Sequence, residues 1–134
     1  EKPYKEKVLW KKDEVDFGQF HQNMAWSADG KKLTYSKYHF GINQSMVYDI
    51  KVYDTESEKH RWLTKSLRAT YPVWLDSNTI AFVAHHNSVS NIYTSNISGE
   101  ELKLLTNFMD NTKIAYLSVS PDQGSLAFAI NPTN

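Results

Sequence analysis

The 134-residue chain has no cysteine, which excludes disulfides, thiolate catalysis and Cys-ligated zinc or iron–sulfur centres together. It has no excess of charge: fifteen basic and fifteen acidic residues balance, and that balance favours neither nucleic acid nor an anionic membrane as a partner. It has no apolar run near the roughly twenty residues a membrane-crossing helix needs, so no membrane insertion is expected. It also lacks a Gly-x-Ser-x-Gly nucleophile elbow, a His-Glu-x-x-His zinc helix and a glycine-rich phosphate loop before a lysine. A self-contained enzyme is therefore not expected, nor a cofactor. Lys5, Lys7, Lys11 and Lys12 cluster, but Glu6, Asp13 and Glu14 interleave with them, the pattern of a solvated terminal strand rather than an anion site.

What the chain does have is a repeat. Ala25-Trp26-Ser27-Ala28-Asp29-Gly30, Val73-Trp74-Leu75-Asp76-Ser77-Asn78 and Ser118-Val119-Ser120-Pro121-Asp122-Gln123-Gly124 are near-copies. Each precedes a short apolar-alternating run: Leu33-Thr34-Tyr35, Ile80-Ala81-Phe82 and Leu126-Ala127-Phe128. The copies fall 46 to 48 residues apart, near the period of a four-stranded propeller blade. Asp-Gly, Ser-Asn and Pro-Asp-Gln-Gly suit tight strand reversals and exclude a helical repeat. A second phrase recurs at an offset of 42: Asp49-Ile50-Lys51-Val52-Tyr53-Asp54 with Asn91-Ile92-Tyr93-Thr94-Ser95-Asn96, and Trp62-Leu63-Thr64 with Leu104-Leu105-Thr106.

Each unit thus reads as four strands. Strand A lies near Met24 to Ser27 and Pro72 to Trp74, and strand B at Leu33 to Tyr38 and Thr79 to Ala84. Strand C lies at Ile50 to Tyr53 and Asn91 to Ser95, and strand D at Arg61 to Thr64 and Lys103 to Thr106. In strand B, Leu33, Tyr35, Ile80, Phe82, Leu126 and Phe128 point one way and Thr34, Ala81 and Ala127 the other, a large-against-small pattern expected of sheets buried on both faces. The expected fold is all-β: about two and a half to three four-stranded antiparallel propeller blades in an incomplete ring. Residues 1–20, with Val8-Leu9-Trp10, read as the last strand of a preceding blade, 21–64 and 65–106 as blades, and 107–134 as the first two strands of a further one. Closed propellers need about four blades or more, so the expectation is a fragment of a larger propeller, completed by the remaining blades of its parent or by copies of itself.

The Trp26-Ser27-Ala28-Asp29-Gly30-Lys31-Lys32-Leu33 run, followed by Val52-Tyr53-Asp54 and Trp62-Leu63-Thr64, resembles the WD-like propeller repeat of TolB-type proteins. The second unit keeps Pro72 and Trp74 but has Leu75-Asp76-Ser77-Asn78 at the turn; the third has Val119 in place of tryptophan and Gln123 before Gly124. The resemblance implies a protein-interaction scaffold, commonly periplasmic or otherwise extracytoplasmic. Similar blades also cap serine peptidases of the prolyl oligopeptidase class or are fused to hydrolase domains, so the alternative is an accessory or gating propeller of a larger hydrolase, a serine peptidase of that class or a metallopeptidase fusion, whose catalytic residues lie outside this chain.

Candidate chemistry is sparse. His85 and His86 are adjacent, and strand alternation sends their rings to opposite faces, poor geometry for chelation; no metal site is expected. Asp29, Asp76 and Asp122 recur as turn caps, each carboxylate reaching the amide two residues on, since calcium would need six or more oxygens. Trp26 and Trp74 read as core, at one repeat position. Function is expected on the face that gathers the B-to-C and D-to-A connections. There the His39 to Val47 connection is longer than its counterpart, His85 to Val89, and carries Phe40, Ile42 and Met46. The D-to-A connections add Arg68, Tyr71, Asn107, Phe108 and Tyr116. The best candidates for contact with a protein or peptide partner are Phe40, Ile42, Met46, Arg68 and Tyr71.

Overall fold

A computed structural model describes Lys5, Lys7 and residues 24–131; Val8-Leu9-Trp10 and the rest of the expected preceding strand lie outside the described residues. Ten strands form: β1 (Met24–Trp26), β2 (Lys32–Phe40), β3 (Met46–Asp54), β4 (Lys59–Trp62), β5 (Thr70–Trp74), β6 (Thr79–His86), β7 (Val89–Asn96), β8 (Lys103–Leu104), β9 (Lys113–Val119) and β10 (Leu126–Asn131). They make two four-stranded sheets, β1-β2-β3-β4 and β5-β6-β7-β8, and a two-stranded sheet, β10-β9. Every pairing is antiparallel between chain neighbours. The first strand of each sheet is its inner strand, and β1, β5 and β9 lie side by side.

The turn residues act as their chemistry dictates. Asp29 Oδ1 accepts from the Lys31 amide at 2.9 Å and Ser27 Oγ at 2.7 Å. Asp76 Oδ1 accepts from the Asn78 amide at 2.8 Å, and Asp122 Oδ1 from the Gly124 amide at 2.9 Å and Ser120 Oγ at 2.6 Å. These are caps two residues on, as the sequence predicts. Donation to the ionised form holds all three carboxyls below the usual aspartate range.

Strand alternation sorts the core. In the first sheet Ile50 and Val52 face the second, where Trp74, Ile80, Phe82 and Ala84 meet them; Leu63 and Ala69 complete this cluster. The other face of the second sheet, Ala81, Val83 and Ile92, packs on Ile114 and Leu117 of β9. Burying each large side chain contributes about 1.5–3 kcal/mol, whereas a hydrogen bond between sheets, such as Trp74 Nε1 to the Ala25 carbonyl at 3.0 Å, contributes about 1. Apolar nesting therefore holds the sheets together, and the polar contacts set their register.

Two expectations need correction. Trp74 is buried, but Trp26 is half exposed, because the side chain at this position packs on the preceding sheet and no described sheet precedes the first. Phe128 and Ala127 are likewise exposed, unlike Phe82 and Ala81, which are fully buried. The third sheet has a described neighbour on one side only.

Candidate functional site

The face that carries the hairpin loops is built around a buried polar hub that recurs in both complete sheets. Asp49, fully buried on β3, accepts through Oδ1 from Thr64 Oγ1 (2.7 Å) and the Leu67 amide (3.0 Å), and through Oδ2 from the Ser66 amide (2.6 Å). His39 Nε2 also meets Oδ2, at 2.8 Å, with its ring stacked on Trp62 at 3.9 Å. Thr64 Oγ1 in turn accepts from the Ile50 amide. In the second sheet Asn91 takes the same place: its Oδ1 accepts from Thr106 Oγ1 and the Phe108 amide, and its Nδ2 donates to the Phe108 carbonyl. The hub ties each connection between sheets to the middle of its own sheet and so fixes the loops above it.

On that base the hairpin differs from the sequence expectation in length. The strands run through His39 and Phe40 and resume at Met46, with Phe40 paired to Met46 and Tyr38 to Tyr48, so only Gly41 to Ser45 is loop. Residues at both ends of the supposed connection pair because alternation continues past the sheet body. The tip is fixed by three bonds: the Gly41 amide to the Ser45 carbonyl (2.9 Å), the Gln44 amide to the Gly41 carbonyl (3.1 Å) and the Ile42 amide to Ser66 Oγ (2.7 Å). Gly41 sits so close to Ser66 and Val47 that a Cβ there would fall 2.5 Å from Ser66 Oγ. Its counterpart in the second sheet is a two-residue turn, Asn87-Ser88, with φ of 50° and 66°, the torsions of a tight hairpin.

Phe40 and Ile42 are 72% and 74% exposed on this ordered tip. Met46 is half-buried and, with Arg68, lines a cleft of about 250 Å³ shared with Tyr38, Val47, Tyr48, Thr70 and His85. Four of the five candidates, Phe40, Ile42, Met46 and Arg68, are thus brought together. The fifth, Tyr71, is not in a connection: it belongs to β5, and Tyr116 to β9. Both tyrosines have left-handed backbones, φ 53° and 58°, at register shifts between Thr70 and Val73 and between Ala127 and Ala129. Such bulges re-aim a side chain, and here they bring the two rings to 5.5 Å. Burial and the neighbouring Tyr116 raise the Tyr71 hydroxyl above its usual range.

Sequence reasoning weighed His85 only as a metal ligand and passed over Lys113. His85 is half-buried while His86 is exposed, the opposite facing expected of them. Burial first, then the charges of Lys113 and Arg68, push His85 below the usual histidine range. The signal was present: Arg68-Ala69-Thr70-Tyr71 and Lys113-Ile114-Ala115-Tyr116 repeat a cation three residues before a tyrosine. Among the described residues no group of three His, Asp or Glu side chains could hold a metal.

No family model matches the sequence, and no curated protein matches it. Solved structures do. An oligogalacturonate lyase from Vibrio parahaemolyticus superposes with a TM-score of 0.69 at 13% identity, over 95% of this chain and 38% of that one. An oligogalacturonate lyase in complex with manganese gives 0.63 at 11%, over 81% and 34%, and TolB from Acinetobacter baumannii 0.59 at 24%, over 78% and 25%. The chain spans well under half of each of these proteins. With its antiparallel four-stranded sheets laid side by side, it is a run of β-propeller blades, similar to those of TolB and of oligogalacturonate lyases, whose sheets are not closed into a ring.

Proposed function

We propose that this chain is a non-catalytic propeller segment that binds a protein or peptide through its hairpin-loop face, with Phe40, Ile42, Met46 and Arg68 at the contact and Tyr71 beside them. The observation that carries this reading is the hairpin tip, where Phe40 at the end of β2 and Ile42 in the loop are more than 70% exposed and the loop is held by bonds to its own backbone and to Ser66. An apolar tip ordered before binding loses little entropy on contact, and exposed apolar patches on ordered loops mark interaction surfaces. The likeness to TolB supports an extracytoplasmic setting, with the remaining blades supplied by a longer parent or by further copies. The competing reading is a set of accessory blades of a larger enzyme whose catalytic residues lie outside this chain, and the lyases among the similar structures are proteins that carry such blades; a nucleophile elbow or zinc helix in the flanking sequence of a longer parent would favour it, and a parent of further blades alone would count against it.

The test is a peptide-display selection on the chain, repeated with Phe40→Asp/Ile42→Asp. Peptides enriched on the parent chain should lose at least about tenfold in affinity for the double variant, while its thermal unfolding stays within about 2 °C because both side chains are exposed. Enriched peptides that bind the double variant equally well would remove this face from the reading.

A further inference from the structure

The zero net charge conceals a segregation by face. Strand direction puts the A-to-B and C-to-D turns at one end of the sheets, and Asp29, Asp54, Glu56, Glu58, Asp76, Glu100, Glu101 and Asp122 all lie there. At the other end, among the described residues, the carboxylates are Asp49 and Asp110. Both Asp49 oxygens are occupied inside the hub, and Asp110 Oδ1 caps its own turn through the Thr112 amide at 2.9 Å. Neither is paired with Arg68 or Lys113, and among the described residues those two cations have no salt bridge.

The repeat makes these cations equivalent. Arg68 leads into β5 and Lys113 opens β9, the inner strands of neighbouring sheets, and each stands three residues before a tyrosine whose left-handed backbone turns its ring toward the other. Between them is the end of β6: Val83 packs in one cluster with Ile114, which places His85, two residues on, near Lys113, while the His85 amide donates to the Leu67 carbonyl beside Arg68 at 3.2 Å. The lowered His85 titration, with Lys113 and Arg68 among its causes, agrees with that placement. His85 Nδ1 meets Ser90 Oγ at 3.1 Å, and Tyr38 and Met46 wall the same cleft.

We propose that the cleft at the junction of the two complete sheets, lined by Arg68 and His85 and neighboured by Lys113 of the third sheet, receives an acidic side chain of a peptide segment whose neighbouring apolar residues rest on the hairpin tip and on the Tyr71–Tyr116 pair. A guanidinium and an ammonium with no carboxylate partner among the described residues, on a face whose two described carboxylates, Asp49 and Asp110, are held in the hub and in a turn cap, complement a carboxylate; the aromatic and thioether surfaces beside them suit the apolar residues of a peptide chain. The inference rests on the loop-face reading and adds the chemistry of the partner.

The probe is a fluorescein-labelled peptide of alternating Asp and Phe, followed by anisotropy on the 134-residue chain beside a counterpart with Asn at every Asp. The Asn peptide should bind about tenfold more weakly or worse, and binding of the Asp peptide should fall steeply between low and physiological salt. Arg68→Glu and Lys113→Glu should each weaken the Asp peptide several-fold with unchanged circular dichroism, whereas Lys103→Glu, at the opposite end of the sheets, should leave it unchanged. Equal binding of the two peptides, or indifference to both charge reversals, overturns the acidic-ligand inference; if Phe40→Asp/Ile42→Asp still abolishes binding in that case, the loop-face reading stands. Displacement by inorganic tripolyphosphate as effective as that by unlabelled peptide overturns the peptide as occupant, since the site would then be a general polyanion patch. Failure of both peptides to bind overturns the inference.

Discussion

Asp49 does more for the geometry of the loop face than any exposed candidate, although nothing outside can touch it. Four donors converge on its two oxygens, so Asp49→Ala would leave a hydroxyl, two amides and an imidazole unsatisfied in a buried place. That should lower unfolding free energy by about 3 kcal/mol or more, read as an earlier urea midpoint at constant slope. Asp49→Asn is the discriminating change, because Asn91 does the same work in the second sheet. There the amide group has the Phe108 carbonyl to donate to; at Asp49 the Oδ2 site faces the Ser66 amide and His39, so an amide group would confront a donor. The Asn variant should fall between the parent and Asp49→Ala, and a loss equal to that of Asp49→Ala would mean that charge rather than hydrogen-bond geometry holds the hub.

At the scale of elements, the strand pattern was legible because its cause is local. Alternation and the Asp-capped turns need only neighbouring residues, and the observed strands contain or overlap those expected, from Leu33 to Tyr38 within β2 to Lys103 and Leu104 in β8. What sequence could not reveal depends on partners distant in the chain. Trp26 and Trp74 occupy one repeat position but differ in exposure, since burial is decided by the adjacent sheet. The bulges at Tyr71 and Tyr116 leave no mark in the alternation. The C-to-D turn of the second sheet offers a sharper test of such non-local fit. Gly99 has φ +83°, and a Cβ there would lie 2.4 Å from the Leu63 carbonyl oxygen of the first sheet. Gly99→Ala combines an unfavourable torsion with a clash against backbone, which cannot step aside as a side chain would. It should cost about 2 kcal/mol or more by thermal unfolding; a neutral result would mean that the two sheets do not meet there as described.

For the whole molecule, two faces of different character follow from one topology. Antiparallel strands send the acid-rich A-to-B and C-to-D turns to one end and leave the longer hairpin, the connections between sheets, and Arg68 and Lys113, which among the described residues have no salt bridge, at the other. The choice of the hairpin face came from loop length and apolar content, both visible in sequence; the segregation of charge was not visible, because the net charge is zero and the sorting appears only when strands acquire direction. Hydrogen–deuterium exchange on the chain with and without a peptide selected by display tests this polarity most directly. Slowed exchange is expected in residues 39–47 and 65–71 on binding, with the turns at 27–32, 75–79 and 120–125 unchanged. Protection confined to those turns, with the hairpin unaffected, would contradict it.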